Sequence, residues 1–141
     1  MASSNVALCG LLMCLLAVIV CSEAQVPVFG GWQKRNVGDD AIYEELAHFA
    51  ISKQVENRQF FDTVLELVDV ETQTVAGTNY RIKFKITEST CPVTAVYSKT
   101  TCLPKSQETV KDVCTARIID VPWTKERSLT SFTCEGSTVT S

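Results

Sequence analysis

The sequence predicts an α+β domain in which an antiparallel β-sheet wraps across one long α-helix. Three observations predict it. Tyr80, Ile82, Phe84 and Ile86 alternate with Arg81, Lys83, Lys85 and Thr87, the period of two of a half-buried antiparallel strand. Ile42, Leu46, Phe49 and Ala50 recur at helical spacing and make one apolar stripe. Cys91, Cys102, Cys114 and Cys134 lie in the C-terminal half, an even set of the kind that forms two disulfides in a secreted domain.

Residues 1–24 read as a cleavable targeting segment. Leu8 to Val20 is nearly all apolar, too short to span a bilayer comfortably and without a basic stop-transfer flank. Ser22-Glu23-Ala24 supplies small residues for cleavage before Gln25. A lone membrane anchor is the competing reading. Residues 25–141 then form one secreted domain with one core. It carries 13 basic against 15 acidic residues, and no basic patch of the kind nucleic-acid binding needs.

Residues 25–37 form an N-terminal arm. Pro27 favours an extended chain before it, and Gly30-Gly31 breaks regular structure. Val28 and Phe29 put apolar side chains where a mere tail needs none. The helix is expected over Asp39 to about Val55, capped by Asp39 or Asp40, with Glu44 and Glu45 near its positive end. His48, the only histidine, lies near the edge of the stripe and is expected to be partly exposed rather than catalytic.

Two β-like runs follow, Phe61 to Glu71 and Thr78 to Glu88, with residues 73–77 as the hairpin tip. Gly77 is where a tight turn takes φ > 0 without a Cβ clash. Val75 and Ala76 are apolar where hairpin tips are usually polar, which suits either a contact surface or an ordinary turn with one exposed valine. After a polar stretch, Lys105 to Asp112, a strand is expected over Val113 to Val121 and a last one over Leu129 to Cys134. Pro122 cannot continue a central ladder, so residues 122–127 make a second turn. Trp123 near its tip either folds back onto the core or stands out from it. The arm adds a fifth strand or none. The four cysteines allow three pairings, of which the local one closes a short loop and a longer hairpin-like segment. Zinc is disfavoured, because no Cys-x-x-Cys pair is present.

Gln73-Thr74-Val75-Ala76-Gly77 fits the pattern Gln-x-Val-x-Gly. With Thr78-Asn79-Tyr80 it resembles the first binding loop of the type 2 (secreted) cystatins, inhibitors of papain-like cysteine proteases. The resemblance extends over residues 25–141. Gly30 after Val28 and Phe29 matches the family's arm, whose two apolar residues enter the protease's substrate pockets. Pro122-Trp123 matches the second binding loop. The cysteines fall at matching places, and the family's pairing is the local one, Cys91–Cys102 and Cys114–Cys134. Thr78-Asn79-Tyr80 and Cys91 to Lys105, with Thr101-Cys102-Leu103-Pro104-Lys105, look most like the salivary or gut cystatins of ticks. Trp32, where many vertebrate members have proline or alanine, departs from the wider family.

The resemblance implies a cystatin-like fold and a monomer without cofactor or metal. Its action is occlusion of the protease cleft, of cathepsin L, S or C type, by the arm and two hairpin tips. Some type 2 cystatins also carry a legumain site centred on an asparagine after the helix. Counting back from Gln73 puts Asn57 there, but Glu56 and Arg58 depart from the usual Ser-Asn-Asp. An asparagine in such a loop is commonly a turn residue. An enzyme is the first alternative. One histidine with no free cysteine in the domain makes no thiol–imidazole pair, and no Ser/His/Asp set is visible. The second alternative is a cystatin-fold binding or immunomodulatory protein without protease inhibition.

Overall fold

The computed structural model describes residues 30–136, so residues 1–24, expected to be a targeting segment, and Val28-Phe29 of the arm lie outside the described residues. Its elements run β1 (Gln33–Arg35), α1 (Ile42–Ser52), β2 (Phe60–Val75), β3 (Gly77–Pro92), β4 (Asp112–Val121) and β5 (Glu126–Cys134). The strands form one antiparallel meander in the order β1-β2-β3-β4-β5, and the root of the arm supplies the fifth strand. The α1 helix lies across one face. Both disulfides are the local ones, Cys91–Cys102 and Cys114–Cys134, the second joining directly opposed residues of β4 and β5.

The helix is shorter than the sequence predicts, and its buried face is rotated. Ala41, not Asp39 or Asp40, holds the cap position and makes no side-chain cap, while Asp40 just before it accepts the Ile42 N–H at 3.0 Å. Leu46, Ala47, Ala50 and Ile51 are fully covered and Tyr43 is buried, while Ile42 and Phe49 are only partly buried. Two alanines on this face let the helix approach the sheet closely. Beneath it lie Val70, Ile82 and Ala116, neighbours in one cross-strand row, with Phe84, Ile86 and Ile118 on either side. Full burial of each such side chain stabilises by roughly 1.5–3 kcal/mol before entropy.

Strand β2 shows why its sequence lacks clean alternation. Its register against β3 slips three times, between Phe60 and Asp62, Val64 and Glu66, and Leu67 and Asp69. At the first, β3 takes four steps against two on β2; the second and third each insert one residue in β2, flip the side chains that follow to the other face and add twist. The added twist is what bends the sheet around the helix.

His48 is a correction. It is 8% exposed rather than at an open edge, because distant residues satisfy its ring. His48 Nδ1 lies 2.5 Å from the Tyr97 hydroxyl, which lies 3.1 Å from Thr63 Oγ1. Burial pushes the imidazole below its ordinary pKa, with Glu44 opposing the shift and Lys99 adding to it. Neutral His48 then accepts from the Tyr97 hydroxyl, which accepts from Thr63. This polar chain ties the helix to the Cys91–Cys102 loop and the start of β2.

Candidate functional site

The sheet's other end carries the two hairpin tips. The β2–β3 ladder continues past its expected end until Val75 faces Gly77, which leaves Ala76 alone at the turn. So tight a reversal demands an unusual backbone, and Gly77 takes φ +106°. Gly77 is needed for a second reason that sequence reasoning missed. A Cβ there would sit 2.8 Å from the Asp120 carbonyl oxygen and 2.9 Å from Val121 Cγ2. The first hairpin therefore leans directly on the end of β4, where the second turn begins.

The second turn occupies residues 122–125, shorter than the expected 122–127, because β5 starts at Glu126 opposite Val121. Thr124 N–H and Oγ1 both bond the Val121 carbonyl, and Lys125 takes φ +56° to re-enter the ladder. Trp123 does not fold back: it is 71% exposed, and Val75 on the neighbouring tip is 48% exposed. Uncharged apolar groups thus stand out from both tips, held by close-packed backbone.

Asp120 is the joint between the hairpins. Its carbonyl touches Gly77, and its buried carboxylate accepts from Arg127 Nε at 3.0 Å. Arg127 also reaches Glu45 on the helix at 2.7 Å, so one guanidinium ties helix, β4 and β5 together below the tips. The signal was in the sequence as an acid and a base flanking the turn. Their role needed the register that sets them opposite each other.

The arm's root reaches the same end. Gly30 takes φ +95°, with nothing within 4 Å of where a Cβ would be, so its glycine serves conformation rather than space. Its carbonyl accepts a hydrogen bond from Gln73 Nε2. Of the expected contact residues, the structure therefore brings Gly30, Gln73, Thr74, Val75, Ala76, Gly77, Pro122 and Trp123 to one edge. Asn57 lies elsewhere, exposed in the turn after the helix at φ +57°, a left-handed conformation asparagine tolerates. Among the described residues no group of His, Cys, Asp and Glu is arranged to hold a metal, and no helix is long and apolar enough to cross a membrane.

Comparison with known proteins agrees with this geometry. Residues 30–123 match the cystatin domain. The chain belongs to the cystatin family. This cystatin is therefore an inhibitor of cysteine proteases rather than an enzyme. It is 45% identical to mialostatin of Ixodes ricinus over 116 residues, covering 81% of each chain. It is 43% identical to Cystatin-2 of Ornithodoros moubata over 122 residues, covering 86% of this chain and 93% of the relative. The crystal structure of mialostatin, a gut cystatin from the hard tick Ixodes ricinus, superposes with a TM-score of 0.71. That match covers 74% of this cystatin and 97% of the solved chain.

Proposed function

We propose that this cystatin is a secreted, monomeric, reversible inhibitor of papain-like cysteine proteases of the cathepsin L, S and C type. It fills the active-site cleft with the Val75-Ala76 tip, Pro122-Trp123 and the arm. The observation that carries this reading is the contact of Gly77 with Asp120 and Val121, which sets the two exposed apolar tips side by side as one wedge. A wedge suits a V-shaped cleft. Its tips are fixed before binding, which lowers the ordering cost of association. Trp123 is the anchor, since large aromatics dominate interface energetics. Val28 and Phe29 follow the family pattern into the substrate pockets, and the turn at Gly30 carries the chain past the nucleophile without offering it a scissile bond.

Secretion is supported by the leader-like residues 1–24 and by the two disulfides. Legumain inhibition through Asn57 is not part of this reading, because Glu56 and Arg58 replace the usual flanks. Inhibition constants of the protein beginning at Gln25, measured against cathepsins L, S, C and B, test the proposal. Inhibition competitive with substrate is expected. Purely noncompetitive inhibition, or none of any of the four, would overturn it.

A further inference from the structure

The outer face of the sheet carries a set of contacts that the hairpin tips do not use. Gln73 and Asn79 are cross-strand partners just below the first tip. A backbone carbonyl only accepts, so the bond to Gly30 requires Gln73 to present its Nε2. Gln73 Oε1 is then left as an acceptor, and Asn79 Nδ2 donates to it at 3.0 Å. That choice leaves Asn79 Oδ1 buried with no partner among the described residues. A chain that strands a buried acceptor carries a desolvation cost, so stability alone does not account for it.

Two residues beyond Gly30 the arm is held a second time. The half-buried Trp32 ring lies over the Arg81 guanidinium, 4.3 Å from the ring centroid, with Arg117 at 6.0 Å. Arg81 is itself fixed by Glu71 at 2.6 Å. Gly30, with its left-handed turn, thus sits between a hydrogen bond at its own carbonyl and a cation–π contact just after it.

We propose that Asn79, Gln73 and Trp32 form a latch that fixes the direction in which the residues before Gly30 leave the sheet. Gln73 is then a positioning residue that acts through the arm, not a residue that touches the protease. The latch is built from side chains that also explain the departure at Trp32: an aromatic there has two arginines to rest on. The inference rests on the wedge reading, since it needs the arm to take part in binding.

The test is a cycle of inhibition constants against one papain-like protease. Gln73→Ala, Gln73→Glu and Asn79→Ala are each made in the protein beginning at Gln25 and in one beginning at Gly30. In the longer protein, Gln73→Ala should weaken inhibition by about fivefold or more, as the arm loses its preorganised path. Gln73→Glu, equal in size but unable to donate to a carbonyl, should match it. Asn79→Ala should lose less. In the protein beginning at Gly30, all three should change inhibition by less than about twofold, because their effect runs through the missing residues. Unfolding midpoints should stay level throughout. Equal losses in both lengths, with truncation itself harmful, would leave the wedge standing and overturn the latch. A truncation without effect would remove the arm from the wedge, and the latch with it.

Discussion

The two ends of the sheet solve opposite problems. At one end, Val75, Ala76 and Trp123 are turned outward and kept there by backbone contacts between Gly77 and Asp120. At the other, about 35 Å away along β3 at about 3.3 Å per residue, polar groups are turned inward. His48, Thr63 and Asp62 are buried, each with a partner: Tyr97 for the first two, Arg58 and Lys111 for the third. The Cys91–Cys102 bridge closes the loop that carries Tyr97. One end exposes apolar surface that folding would rather bury, and the other buries polar groups that water would rather keep. The comparison teaches that binding and stability are separable here, so changes at each end should move one property and spare the other.

The largest effect should come from the buried end. Removing the Cys91–Cys102 bridge by the double change to alanine should cost about 2–4 kcal/mol of stability. Inhibition measured well below the new unfolding midpoint should hardly change. A parallel loss of inhibition would mean that the far loop shapes the wedge, and would break the comparison.

Trp123→Ala should do the reverse. Its loss should weaken inhibition by about 2 kcal/mol or more, over tenfold, while the unfolding midpoint stays within error. Gly77→Val is the one change at the tips expected to move both properties. It forces a β-branched residue to φ +106° and drives a Cβ into the Asp120 carbonyl, so it should cost about 1–3 kcal/mol of stability as well as inhibition. Differential scanning calorimetry alongside inhibition assays separates the two cases.

The smallest effect is a pH dependence confined to the buried end. His48 is held neutral by burial, while the unfolded chain takes up a proton below about pH 6.5. Unfolding therefore binds a proton, and stability should fall as pH drops from about 6.5 towards the folded pKa. The slope from this group is at most about 1.4 kcal/mol per pH unit. His48→Gln should flatten that part of the curve and leave inhibition unchanged. An unaltered slope would show that His48 is not the group responsible.

These contrasts also mark what the sequence could reveal. Strand β3 was legible because Tyr80 to Thr87 alternate without interruption. Strand β2 is less so, since two bulges break its period, and it runs past its expected limits at both ends. The helix was found, but Tyr43, Ala47 and Ile51 rather than Ile42 and Phe49 complete its buried face. Small and aromatic residues hide such a face from a count of aliphatic spacing. The burial of His48 is not legible, because its partner lies 49 residues away in a loop whose position only the disulfide and the sheet decide. At the site, the sequence shows why Gly77 suits a turn, but its closeness to Asp120 arises only in the folded meander. Trp123 showed its residue type but not its exposure. The bond from Gln73 to Gly30 spans 43 residues and has no local signature.

The central claim is that both tips enter the protease's active-site cleft. It is tested most directly by binding this cystatin to a papain-like protease in two states. One is free, and in the other a covalent peptidyl inhibitor fills the substrate pockets. Isothermal titration calorimetry should show tight binding to the free enzyme and at least a hundredfold weaker binding, about 2.7 kcal/mol, to the filled one. Equal affinity for the two states would place the contact outside the cleft and contradict the wedge.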